Sequence, residues 1–332
     1  MNPRGFASDN YAGAHPEVLA AIAAANTDHA PAYGADSWTE RAHALIRERL
    51  GAPEADPYLV FNGTGANVVC LSALCRSWEG VICAGTAHLN VDEASAPEIT
   101  GRVKLLTVAT PDGRLTPELC AAKIARVGDE HVTQARVVSI SQSTELGTVY
   151  TGEEIRALAD FAHTRDLLLH VDGARIFNGG VDTLDGVDAL SFGFTKIGAL
   201  GAEAAVLMRP VPHAKWVRKQ LMQLSSKHRF TAAQVIALLE DGLAERAAAH
   251  ANAMARRLAA ALADAPGVTV TQTPQANAVF AILDPGVTAA LQEDWRFYVW
   301  DEHTGEVRWM CSWDTTEADV DQFAADVRRR AA

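Results

Sequence analysis

Long apolar runs are missing from this sequence. None approaches the roughly 20 residues that a membrane-spanning helix requires, so a helical membrane protein is set aside. The opening stretch MNPRGFASDNYAG lacks the apolar core of a secretory leader, and a cytoplasmic protein is expected. Basic residues are in deficit: 29 Lys and Arg against 41 Asp and Glu give a net charge of −12. That balance lacks the basic footprint of a general nucleic-acid binder. The five cysteines, Cys70, Cys75, Cys83, Cys120 and Cys311, contain no CxxC pair. They suit reduced, buried small hydrophobes better than a disulfide or zinc framework, and no metal site is expected. Internal repeats and low-complexity tracts are also lacking.

What is present is a chain of 332 residues, 48% of them hydrophobic, enough for one large domain and a smaller one with separate cores. Strand-like runs alternate with helix-like segments: YLVF (58–61), GVICA (80–84), VKLLTV (103–108), ARVVSIS (135–141), LLLHV (167–171), DALSF (188–192) and EAAVLM (203–208). Between them lie GANVVCLSALCRSW, TPELCAAKIARV and GEEIRALADFAHTR, whose apolar residues recur at helical spacing. Short unbroken apolar strands joined by amphipathic helices predict an α/β fold with a large, mostly parallel sheet covered on both faces. That domain is assigned to residues 1–240, N-terminal segment included. An Ala-rich helical region over 231–265 forms the bridge. Residues 241–332 complete a linking helix and a small α+β domain carrying VTV, NAVFAIL, RFYVW and EVRWMCSW.

In open α/β sheets, ligands bind beyond the carboxyl ends of the strands. Four features fall there. Gly63-Thr64-Gly65, in LVFNGTGANVV, is a Gly-rich turn opening a helix, whose free N–H groups and helix dipole favour an anion such as phosphate. Asp172 and Arg175 follow LLLHV, Lys196 follows ALSFGF, and His88 follows GVICA. A phosphate seat, a carboxylate and an amine around one sheet edge are what pyridoxal 5'-phosphate requires. Lysine forms a Schiff base with its aldehyde, and the Asp keeps the pyridine nitrogen protonated, so the ring stabilises a carbanion at the substrate Cα. His88 in AHLNVDEAS suits a ring-stacking acid or base, and Arg308 in EVRWMCSW suits a substrate carboxylate. Each residue also has a bland reading: a tight turn for GTG, a turn cap for Asp172, a surface amine for Lys196, a core histidine for His88, a salt bridge for Arg308.

Taken together, HVDGARIFN, SFGFTKIGALGAEAAV, FNGTGAN, AHLNVDEAS and QSTELGTVYTGEEI resemble the low-specificity L-threonine aldolases and the related phenylserine aldolases. The motifs occur in the family's order over essentially the full chain. The resemblance implies the aspartate-aminotransferase fold (pyridoxal-phosphate fold type I) and assigns roles by position. Lys196 matches the Schiff-base lysine and Asp172 the partner of the pyridine nitrogen. Arg175 matches the arginine at the ring oxygen and substrate carboxylate, and His88 the histidine stacked on the ring near the substrate hydroxyl. Gly63 and Thr64 match the phosphate turn. Ser8 and Arg308 match holders of the substrate carboxylate, and His131 a second histidine near the hydroxyl. A homotetramer, a dimer of dimers with shared active sites, is implied, and YGADSW (33–38) is a segment that would reach a neighbouring site.

Three stretches depart from the commoner family pattern: QSTE (142–145) stands for ENTH, FTKI for LSKG, and QLSSKHRF (223–230) for a Gly-rich stretch. The last leaves Lys227 or Arg229 to supply a phosphate contact. The activity implied is cleavage of L-threonine, L-allo-threonine or phenylserine to glycine and an aldehyde. The same electron sink also serves β-elimination, transamination and racemisation, and a non-catalytic phosphate-ligand scaffold is the reading furthest from chemistry. Trp38, Trp78 and Trp300 are candidates for shaping a pocket, but the sequence does not place them.

Overall fold

The computed structural model describes residues 4–180 and 184–332, so positions 1–3 and 181–183 of the expected large domain lie outside the described residues. The chain divides into two compact units. One holds residues 14–195 and 199–243; the other holds residues 4–13, Lys196–Gly198 and Ala244–Ala332. The N-terminal segment, assigned by sequence to the large domain, is therefore grouped with the C-terminal unit.

The larger unit is built on seven strands: β1 (Asp56–Val60), β2 (Glu79–Ala84), β3 (Lys104–Val108), β4 (Gln134–Ser141), β5 (Leu168–Gly173), β6 (Ala189–Gly193) and β7 (Glu203–Leu207). Their order is β1-β7-β6-β5-β4-β2-β3. All neighbours pair in parallel except β7, which runs antiparallel to both β1 and β6. β1 therefore points the same way as the parallel strands, and its carboxyl end lies at their edge. β6 and β7 are buried at every position, as continuous apolar strands in a sheet covered on both faces must be.

The helix Gly152–His163 starts in a capping box, Thr151 with Glu154, and turns Ile155, Leu158, Ala159 and Ala162 inward at helical spacing. The expected helix over 116–127 is shorter, Pro117–Ala121. The Ala-rich bridge is two helices, Arg229–Leu239 and Leu243–Leu262, broken where Gly242 adopts φ +65°. Alanine propensity carries a helix only until a left-handed glycine supplies the C-terminal turn.

The smaller unit has an antiparallel sheet in the order β10-β11-β9-β8, formed by β8 (Val268–Val270), β9 (Ala278–Leu283), β10 (Tyr298–Asp301) and β11 (Glu306–Met310). Its core gathers Phe6, Trp295, Phe297, Trp309 and Phe323 with Leu258 and Leu262. The Phe6 ring stacks on Phe323 at 4.5 Å. Backbone bonds hold the same segment: Phe6 N donates to Arg296 O and Met310 N to Phe6 O, each at 2.7 Å. Only glycine fits at position 5, because a Cβ there would stand 2.8 Å from Arg296 O.

Across the middle of the large sheet, His170 on β5 lies between Ser139 Oγ at 2.8 Å and Ser191 Oγ at 3.0 Å, one from each flanking strand. The ring is fully buried, and burial pushes its pKa down from 6.5 to about 4 against the opposing charge of Asp172. An imidazole depressed in the folded state contributes no penalty above pH ~6.5. Stability is lost as pH falls from there toward 4, because only the unfolded chain takes the proton. Replacing His170 by Gln should remove one proton's worth of slope, about 1.4 kcal/mol per pH unit, from the unfolding free energy in that window. Urea unfolding of both proteins between pH 7 and 4.5 measures it, and identical slopes would show that the folded ring titrates normally.

Candidate active site

The carboxyl ends of β1, β2, β4, β5 and β6 all open on one edge of the sheet, and the expected residues Gly63, Thr64, His88, Asp172, Arg175 and Lys196 follow those ends. After β1, Asn62 caps the helix Gly63–Leu74 by accepting the Gly65 N–H at 2.7 Å. Among the described residues, the N–H groups of Gly63 and Thr64 have no protein acceptor. Two unmet donors at the positive end of a helix are what an anion needs.

Asp172, 6% exposed at the end of β5, accepts the Ala174 N–H on Oδ1 at 3.0 Å and Asn67 Nδ2 on Oδ2 at 2.9 Å. The same Asn67 nitrogen donates to Glu93 Oε1 at 2.8 Å. That oxygen in turn lies 2.8 Å from His88 Nδ1. One carboxamide thus links the acid of β5 to the acid that holds the histidine. A carboxylate only accepts, so Nδ1 of His88 carries its proton toward Glu93, and in the neutral ring Nε2 keeps the lone pair. A third acid, Glu145, lies beyond β4. It accepts the His88 N–H at 2.9 Å and the Ser141 hydroxyl at 2.8 Å. Burial pushes its pKa up, and the nearby charge of Asp172 adds to the shift. A cluster of this sign suits a cationic ring nitrogen.

Lys196 lies in the 3-10 turn Thr195–Ile197 that follows β6. The chain on either side is pinned. Buried Glu203 accepts Phe194 N at 3.0 Å and Thr195 N at 3.4 Å. Gln234 Oε1 accepts Leu200 N at 2.9 Å and Gly201 N at 3.0 Å. Arg175 is half-buried two residues past β5, at the N-cap of the short helix Ile176–Gly179.

In the smaller unit, Arg308 on β11 is 9% exposed, its guanidinium 4.1 Å from the centre of the Trp300 ring. That contact places one of the three tryptophans the sequence left unplaced. Ser8 caps the 3-10 turn Asp9–Tyr11, and Asn277 Nδ2 holds the buried Asp9 at 3.1 Å.

Two expected residues lie elsewhere. His131 is exposed in the turn before β4, at the amino end of a strand whose carboxyl end is Ser141. Eight residues of strand, about 26 Å, take it to the opposite edge, so it does not join this cluster. Arg229 does not reach the Gly-rich turn of its own chain. Its guanidinium donates to the carbonyls of Thr27 at 3.0 Å and Asp28 at 3.1 Å, and the exposed cation beside it is Lys227.

Asn67, Glu93, Glu145, Glu203 and Gln234 were not singled out from sequence. Some signal existed: Asn67 is a poor helix former one turn from the Gly-rich start, and Glu203 opens an otherwise apolar strand. The cysteines fit their bland reading. All five are free, and burial pushes Cys70, Cys75, Cys83 and Cys120 up to about 12, which leaves them unreactive.

Comparison with known proteins shows the family. A family profile described as Beta-eliminating lyase matches residues 5–285. The low specificity L-threonine aldolase of Pseudomonas sp. (strain NCIMB 10558) is 41% identical over 336 residues, spanning 97% of this chain and 96% of that one. The solved threonine aldolase of Leishmania major superposes with a TM-score of 0.93 at 30% identity, covering 99% of this chain and all of the other. Mouse CSAD, at 15% identity and a TM-score of 0.79, shares the fold alone. The chain belongs to the beta-eliminating lyase family and, within it, to the low-specificity L-threonine aldolases.

Proposed function

We propose that the protein cleaves β-hydroxy-α-amino acids, namely L-threonine, L-allo-threonine and phenylserine, to glycine and an aldehyde, with pyridoxal 5'-phosphate as cofactor. The residues present suit that group: unmet N–H donors at Gly63 and Thr64 for its phosphate, the Asp172 carboxylate for its ring nitrogen, and the Lys196 amine for its aldehyde. When bound, it supplies an electron-accepting ring that takes up the electron pair of the breaking Cα–Cβ bond.

The chain's own residues do the rest. Asp172, held by Asn67 and the Ala174 N–H, keeps a proton on the ring nitrogen. Glu93 fixes the proton of His88 on Nδ1, so that the lone pair on Nε2 takes the proton of the β-hydroxyl as the carbonyl forms. Ser8, Arg175 and Arg308 are assigned the substrate carboxylate by the family resemblance. Holding the carboxylate would orient the substrate and so select which of its bonds breaks. The observation that carries this reading is the series from half-buried His88 through buried Glu93 and Asn67 to buried Asp172, which sets an acid for the ring nitrogen and a histidine base on one hydrogen-bonded frame. The family profile's own description favours β-elimination as a second reading, in which ammonia and a keto acid replace glycine and an aldehyde.

We further infer a homotetramer with shared sites, working in the cytoplasm, a setting that accords with five unpaired thiols. Four large apolar side chains stand exposed on segments around the Gly-rich turn: Tyr33, Phe61, Leu200 and Met222. A second copy of the chain is the occupant such a patch suits, and it would bring Lys227 toward a neighbouring phosphate seat.

Three outcomes are expected. Glycine release over a panel of β-hydroxy-amino acids accompanies aldehyde at equal yield, and Lys196→Ala abolishes both; ammonia without glycine would favour elimination. Glu93→Leu lowers kcat by about 100-fold with cofactor retained, since His88 Nδ1 loses the acceptor that holds its proton there; an unchanged kcat would remove His88 Nε2 from that role. Leu200→Asp with Met222→Asp yields a smaller particle by light scattering with much reduced glycine release, whereas a wild-type monomer would sink the assembly.

A further inference from the structure

We propose that Gln223 is an additional donor to the phosphate seat, supplied by the segment that replaces the family's Gly-rich stretch. The inference rests on the cofactor reading above and deepens it.

The carboxamide of Gln223 lies directly against the start of the helix Gly63–Leu74. A Cβ at Gly65 would stand 2.5 Å from its Cδ, 2.6 Å from Oε1 and 2.7 Å from Nε2, closer than any side-chain carbon tolerates. Gly65 is helical, with no left-handed φ to demand glycine. With glycine at this position the carboxamide packs flush against the helix start, and a larger residue there would make the Gln223 side chain shift. Glutamine is an expensive side chain to immobilise, and here one end is tied: Oε1 accepts the Phe61 N–H at 3.1 Å. With the oxygen committed, the free end is the amino group, and among the described residues Nε2 has no protein acceptor. The nearest backbone donors are in the same condition, since the N–H groups of Gly63 and Thr64 are also unmet while that of Gly65 is capped by Asn62.

Three donors from two segments 159 or more residues apart thus lie at one helix N-terminus with, among the described residues, no protein acceptor of their own. A chain that satisfies the neighbouring amides of Phe61, Gly65 and Ala66 leaves these three for an external acceptor. An oxyanion with several lone pairs is the acceptor that takes all of them, and the phosphate is the part of the cofactor with that chemistry. Gln223 sits on the segment immediately before Lys227, so the stretch QLSSKHRF offers one donor to its own seat and a cation beyond it.

The test compares two ligands that differ only in the phosphate. Pyridoxal phosphate and pyridoxal are titrated into cofactor-free full-length protein and followed by visible absorbance, for wild type, Gln223→Ala and Gln223→Glu. Gln223→Ala should weaken pyridoxal phosphate about tenfold and Gln223→Glu more, since a carboxylate repels the anion, while pyridoxal binding is unchanged. Inorganic phosphate should protect wild type against heat more than it protects Gln223→Ala. Equal affinity of wild type and Gln223→Ala for pyridoxal phosphate overturns the proposal, and so does equal weakening of both ligands, which would mark a structural role. Failure of wild type itself to take up pyridoxal phosphate would instead overturn the cofactor reading and this inference with it, so the two failures are distinct.

Discussion

Two carboxylates share one amide in the interior of this protein. Asp172 Oδ2 and Glu93 Oε1 both accept from Asn67 Nδ2, so their oxygens lie within about 6 Å of each other, and both side chains are withdrawn from water. At that separation two full charges repel by roughly 3 kcal/mol at an effective dielectric of about 20. Asn67 screens part of the repulsion but carries no charge. A pair of this kind needs donors or positive charge beside it: the Nδ1–H of His88 serves Glu93, and a cationic partner would suit Asp172. Holding the two acids at this separation requires a firm scaffold around them.

That scaffolding follows from the order of the strands. β5 sits at the centre of the sheet, with β4 and β6 pairing to it in parallel. Asp172 pairs in register with Ser141 on one side and Ser191 on the other. The residue that needs the least freedom is thereby fixed by strands on both flanks. His88, Glu145 and Lys196 come from connections just past the neighbouring strands, and each connection is tied by a buried polar side chain. Glu145 holds the N–H of His88, while Glu203 and Gln234 hold the amides before and after the Lys196 turn. Rigid strands locate the loops, and buried polar groups remove the loops' remaining freedom.

The parts of this design that follow a one-dimensional rule were legible in the sequence. Seven apolar runs gave seven strands because burial on both faces demands continuous hydrophobicity, and a glycine turn opening a helix announces an anion seat. What stayed hidden depends on convergence in space. Nothing about Asn67 states that it will face two acids contributed by positions 93 and 172. Gln223 reads in the sequence as a departure from a Gly-rich pattern, and only the structure shows its carboxamide packed against Gly65. His131 is assigned by the resemblance a place near the substrate hydroxyl, but it precedes β4 and so lies at the amino end of that strand. The helix break at Gly242 was overridden by alanine content, although a left-handed glycine is the commonest helix stop.

The exchange of ENTH for QSTE bears on the same charge problem. Glu145 adds a third acid to an interior that already strains to hold two, and adding it as a carboxylate would raise the repulsion further. Burial pushes its pKa up, with the charge of Asp172 acting in the same direction and the N–H of His88 acting against it. A carboxyl group under those influences shares a proton more readily than an exposed one and so costs less charge. Its Oε1 still accepts the backbone N–H of His88 and the Ser141 hydroxyl, and those bonds hold whether or not the other oxygen carries a proton. The turn that carries His88 can therefore be anchored by an acid without a third full negative charge beside Asp172. On this argument the elevated pKa of Glu145 is the condition under which an acid is tolerated at position 145.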